Sequence, residues 1–237
     1  MMMRIIVILA IAPLLMGCVS ASPIAAKMSR PGGALDAAFD SQTQDRLYLG
    51  VIEGLIQQKR YQAAIAFLDQ YPSDSPRAQI LRGNAQVGAG YWRDAILTYE
   101  RLTQTVYAAQ AYNGIGRAES ARANWAAAAE AFRRASAIEP ANADYLNNLG
   151  YARLRHGGKE HLAAAADNLK RAYELSPGSA VIRNNLILAA QLSNDSTGMA
   201  ALLSTIKDAA QREEVRAFAA NWPEKAGRGL GRNGDAP

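Results

Sequence analysis

From about residue 45 onward, apolar and small residues recur at helical spacing, in short blocks separated by Gly, Pro and Asn. Ala64 and Leu68, Ala95 and Tyr99, Ala128 and Phe132, and Ala165 and Leu169 each set a small and a large residue four positions apart. That spacing puts both on one face of a helix. The blocks come in pairs, and an aromatic opens every second block at Tyr61, Trp92 and Trp125. The period is roughly 30–35 residues, the mark of a repeat array. The pattern predicts an all-α chain of short, paired amphipathic helices. Alanine makes up about a fifth of the residues and favours helix in the same way.

One unit carries the fullest signature: Tyr112, Ile115, Gly116, Ala128, Phe132, Ala135 and Pro140. This spacing resembles the tetratricopeptide repeat (TPR), with Glu119 where the pattern has a tyrosine. The following unit has Leu146, Leu149, Gly150, Ala165, Leu169, Ala172 and Pro177. Its halves stand three residues further apart, an excess assigned to the turn from His156 to His161. Units are read at about 45–75, 76–108, 109–142, 143–179 and a degenerate 180–211, with a capping helix over 211–222. The second helix of the degenerate unit is expected from Ser196 to about Ala210. The resemblance implies a helix-turn-helix solenoid of about four to five repeats wound as a right-handed superhelix. Gly83, Gly116 and Gly150, with Ala95, Ala128 and Ala165, would let paired helices approach closely. Phe132 would fill the space between neighbours, and Pro140 and Pro177 would end second helices. Trp92 and Trp125 are read as core packing. Arg212, Glu213, Glu214 and Arg216 would give the cap its polar outer face.

The N-terminus reads as an address. Arg4 precedes an uncharged stretch from Ile5 to Cys18, too short to span a bilayer and interrupted by Pro13. It fits a cleaved secretory signal over residues 1–17. Leu15, Gly17 and Cys18 resemble a bacterial lipobox, which implies that Cys18 accepts a diacylglycerol and anchors the chain. Val19, in place of an aspartate, favours the outer membrane. Residues 18–42, rich in Ala, Ser, Pro and Gly, read as a flexible tether. Residues 223–237 read as a disordered tail.

Composition narrows the chemistry further. The chain has 237 residues, 49% hydrophobic, with a net charge of +5 and a single cysteine, so a disulfide framework is excluded. Arginine outnumbers lysine without a dense basic run, which argues against nucleic acid as a partner. HExxH, paired CxxC, GxSxG and phosphate-loop motifs are all absent. His156 and His161, the only histidines, flank one turn with no further clear ligand. The expectation is a chain that is not an enzyme and takes no cofactor, metal or small-molecule substrate.

What is left is a binding surface. Positions on the first helices of the units include Asn84, Asn113, Arg117, Asn147, Asn148, Tyr151 and Asn184, the candidates for a peptide groove. Asparagine amides can both donate to and accept from a peptide backbone, and arginine can hold a carboxylate with two hydrogen bonds. The lipobox, the repeats, Asn147-Asn148-Leu149-Gly150 and Arg183-Asn184-Asn185-Leu186 together resemble the TadD-type lipoproteins of Tad (Flp) pilus assembly. That resemblance implies a pilotin at the periplasmic face of the outer membrane of a Gram-negative bacterium. Its partner would be the secretin or another pilus assembly component. A TPR lipoprotein adaptor for peptidoglycan hydrolases or for outer-membrane protein assembly is the other reading.

Overall fold

The computed structural model describes residues 41–70 and 74–222. The described residues from Arg46 to Trp222 form one compact unit, built by stacking helices. The signal, Cys18, the tail and all but the last two residues of the tether lie outside the described residues; helix begins already at Ser41.

Eleven helices and no strands make up the described residues. They are α1 (Ser41–Gln57), α2 (Tyr61–Gln70), α3 (Pro76–Ala89), α4 (Trp92–Glu100), α5 (Ala108–Ala121), α6 (Trp125–Ile138), α7 (Ala143–His156), α8 (Lys159–Leu175), α9 (Ala180–Leu192), α10 (Ser196–Ser204) and α11 (Ala209–Ala220). From α2 to α10 each helix packs on the next, and α3 also touches α5, as α7 touches α9. Sequential hairpins whose first helices also meet are the connectivity of a solenoid.

The helix boundaries follow local chemistry. Ser75 caps α3 by accepting from the Ala78 amide, ahead of Pro76 at the first turn. Asn142 and Ser179 cap α7 and α9 in the same manner. Within each of the five hairpins the chain reverses through left-handed backbone: Lys59, Gly90, Ala123, Gly157 with Gly158, and Asn194. Each second helix starts two residues after the first of these. The aromatics Tyr61, Trp92 and Trp125 therefore stand at the first position of α2, α4 and α6.

Two boundaries differ from the sequence reading. The three extra residues of the fourth unit are helical: α8 has 17 residues against 14 in α6, and only Gly157 and Gly158 separate α7 from α8. Lys159 and Glu160 are good helix formers, and Glu160 sits in the first turn, where a negative charge suits the helix N-terminus, so α8 extends backwards by nearly a turn. The helix expected from Ser196 to Ala210 ends at Ser204. There Thr205 turns its hydroxyl onto the Leu202 carbonyl, and Asp208 caps α11 by accepting from the amides of Ala210 and Gln211.

The core is a string of small-on-large contacts. The Tyr99 ring lies against both Gly83 and Gly114, Phe132 against Gly116, Tyr61 against Gly88 and Leu169 against Gly150. A methyl group on any of these glycines would fall inside the facing side chain. Ala95, Ala128 and Ala165 are fully buried in the paired helices. Ala128→Leu is expected to overpack the seam of α5, α6 and α7 and cost about 1–3 kcal/mol, read as a lower denaturation midpoint. An unchanged midpoint would show that this seam has spare room. Pro140 follows α6 and Pro177 follows α8, at the ends of those helices.

Trp92 is not core. It is 37% exposed, because α4 offers its buried face through Ala95, Thr98 and Tyr99 instead. On α11, Glu213, Glu214 and Arg216 are exposed, while Arg212 turns inward and donates to the carbonyls of Ile206 and Lys207.

Candidate functional site

The candidate groove residues come from α3, α5, α7 and α9, the first helices of consecutive hairpins. Five of them bond across the repeat boundary or to each other. Asn84 Oδ1 accepts from Arg117 at 2.8 Å and from the Tyr99 hydroxyl at 2.9 Å. Asn113 Oδ1 accepts from Asn148 Nδ2 at 3.0 Å. Asn147 donates to Asn148 at 3.5 Å, and its own carbonyl accepts from Asn185 Nδ2 at 2.9 Å. The sequence separations of the three cross-repeat bonds, 33, 35 and 38, are one repeat each, so every bond ties a helix to its equivalent in the next hairpin.

The result is a ladder of side-chain amides in two runs. The first holds α3 to α5 and ends at Arg117, which is exposed. The second runs from α5 through α7 to α9. Burial pushes the Tyr99 phenol up from its ordinary range, with Arg117 opposing the shift, so this hydroxyl stays protonated and keeps donating to Asn84. Asn147 is buried and its bonds are internal, which makes it a strut of the ladder. Asn113, Asn148 and Asn84 are half-buried and keep an edge toward solvent.

Asn184 and Tyr151 stand apart from the ladder. Asn184 Oδ1 and the neighbouring Arg183 Nε are buried without a hydrogen-bond partner. A buried acceptor left open costs free energy, and a ligand or water that fills it recovers that cost. Tyr151 joins an aromatic cluster. Its ring meets Trp125 edge-on at 6.1 Å and Trp222 at 6.0 Å. The Arg155 guanidinium lies 4.5 Å from the Trp125 ring centre and 5.4 Å from that of Trp222. Trp222 closes this cluster from beyond the repeats.

Sequence reasoning missed three participants. Asn185 looks equivalent to its neighbour Asn184 until the register of α9 decides which of them reaches Asn147. Tyr99 was legible as a repeat aromatic, but the reach of its hydroxyl to Asn84 was not. Trp222 lies outside every repeat unit and carries no periodic signal. No group of three or more metal-ligating side chains occurs among the described residues.

Helix hairpins of this length, stacked in sequence with glycine-on-aromatic seams, define a TPR solenoid. No protein-family model matches the chain, and no curated protein matches it. Solved structures do. The chain is similar to a thermophilic TPR protein of Thermus thermophilus, TTC0263, at 17% identity, over 74% of this chain and 97% of that one, with a TM-score of 0.59. It is also similar to MamA of Desulfovibrio magneticus RS-1, at 17% identity, over 73% of this chain and 94% of that one, with a TM-score of 0.55. Likeness at this identity establishes the fold, and the choice of partner rests on this chain's own residues.

Proposed function

We propose that this chain is a non-catalytic, protein-binding lipoprotein that serves as a pilotin-like assembly factor for the secretin of a Tad/Flp pilus. In this reading Cys18 carries the lipid, residues 18–42 give reach from the periplasmic face of the outer membrane, and the first-helix face receives a secretin segment. The observation that carries the reading is the amide ladder. It holds Asn84, Asn113, Asn148 and Arg117 at fixed positions on successive helices, with edges open to solvent. A row of preorganised amides suits an extended peptide, whose backbone offers donors and acceptors in turn. Arg117, exposed at the end of its run, would take a carboxylate of that segment. The lipobox and the resemblance to TadD-type lipoproteins supply the choice of partner.

The test is secretin ring assembly in a strain lacking this protein, complemented with wild type, Cys18→Ala or Arg117→Ala. The expected result is rings at the outer membrane with wild type only, with the Cys18→Ala protein released from the membrane fraction. Normal rings in the deletion strain would refute the pilotin role. Retention of the Cys18→Ala protein in the membrane fraction would refute the lipid anchor.

A further inference from the structure

Away from the amide ladder, α6, α7 and α8 line an open cleft of about 260 Å³ beside Ala126 and Ala129. Its polar walls are Glu130 and Arg133 from α6, Arg153 and His156 from α7, and His161 from α8. The charges there do not balance. The Glu130 carboxylate is already held by Arg133 at 2.8 Å and by Arg134 at 2.9 Å, and these bonds lower its pKa to about 2. It is thus occupied at all ordinary pH values.

Arg153 is half-buried and has no carboxylate within ion-pair distance among the described residues. Its hydrogen bond is a long one, 3.4 Å, to the Ala164 carbonyl. Burial and the Arg133 charge both press on its protonated form. A half-buried cation facing a second cation lacks a counter-ion. The repeat pattern places a tyrosine where Arg153 stands, so packing alone does not call for an arginine there.

The two imidazoles complete the wall. His156 and His161 meet edge-to-face with ring centres 4.3 Å apart. His161 Nε2 lies 3.8 Å from Glu160 Oε1, a carboxylate that is itself 87% exposed and loosely held. A histidine pair could suggest a metal ion, but a third ligand is lacking among the described residues, and two guanidiniums beside the rings repel a cation. The same groups attract an anion. Guanidinium forks match tetrahedral oxyanions, and each imidazole adds an N–H donor. The cleft is below the range of drug-sized pockets, so the ligand is small.

We propose that this cleft is a phosphate-binding site in which the Arg153 guanidinium holds the oxyanion, and Arg133 Nη1, which lies outside the bidentate pair with Glu130, completes its donors together with His156 and His161. The phosphate is free in solution or carried on a lipid headgroup. The site is independent of the amide ladder and of the pilotin reading.

The experiment is calorimetric titration of the full chain with inorganic phosphate at constant ionic strength, against Arg153→Gln. Saturable binding to wild type, weakened about tenfold or more in the variant, is the expected result. An unfolded variant would blunt that comparison, so Arg133→Gln on the surface of α6 provides a second one, with the same direction expected. Competition by vesicles containing phosphatidic acid, and none by phosphatidylcholine vesicles, would identify the lipid source; failure of both to compete would identify the free phosphate. Absence of saturable phosphate binding, or affinity unchanged in both variants, would overturn the proposal.

Discussion

Tyr99→Ala should destabilise the protein by about 3–5 kcal/mol and lower its melting temperature by roughly 10–15 °C. Tyr99 is 1% exposed and is among the largest side chains fully enclosed by the fold. Its ring is held on two sides by Gly83 of α3 and Gly114 of α5, so it belongs to two successive hairpins at once. Removing it opens a cavity whose walls are helix backbone, and backbone closes over a void poorly. In a one-dimensional array, loss of one interface divides the stack, so the unfolding transition should also broaden or split. Tyr99→Phe separates ring from hydroxyl. Asn84 keeps its bond from Arg117, so this variant should lose only about 1 kcal/mol. The raised phenol pKa adds a pH signature. The folded state favours the protonated form, so stability is full below the unfolded tyrosine pKa of about 10 and falls as pH rises above it. Tyr99→Phe should lessen that alkaline loss. A Tyr99→Ala melting point within a degree or two of wild type would show that the glycine seams contribute little.

These contacts show where sequence reading succeeds and where it stops. Repeats are legible because packing repeats: the fully buried Ala95, Ala128 and Ala165 recur at the point where paired helices cross. Second-helix starts are legible because a left-handed residue must precede them by two positions. Gly90 announces this conformation, while Lys59, Ala123 and Asn194 adopt it without glycine's signal. Single-residue registers are harder. Three residues inserted before Ala165 could lengthen either a loop or a helix, and the helical alternative won because Glu160 suits a first turn and Lys159 is a good helix former. Trp92 and Trp125 occupy the same motif position, yet Trp92 faces solvent and Trp125 joins Tyr151 and Arg155. The difference comes from what the next hairpin offers, which no local window contains. The amide candidates were identified by residue type and helix position. That they would bond to one another depends on the stacking of α3, α5, α7 and α9, where Asn148 reaches Asn113 and Asn185 reaches Asn147.

Trp222→Ala should release α11 from the end of the solenoid. Trp222 is 5% exposed and lies in one core cluster with Ile187, Leu188, Leu203, Ile206, Val215 and Ala219. Its ring meets Phe218 at 5.7 Å and Tyr151 at 6.0 Å, and shares the Arg155 guanidinium with Trp125. Truncating a buried tryptophan costs about 3–5 kcal/mol where the structure cannot detach. Here it can detach, because α11 is the last helix among the described residues and packs on α9 and α10, and local opening limits the global loss. The expected result is therefore uneven. Amide hydrogens of α11 should lose most of their exchange protection, those of α5 to α8 should keep theirs, and the melting temperature should fall less than in Tyr99→Ala. Opening α11 also uncovers Tyr151 and Arg155 beside Trp125. Unchanged exchange in α11 would mean that Val215 and Ala219 hold the helix without its aromatic anchor, and the cap would then be a packed repeat element and not a clasp.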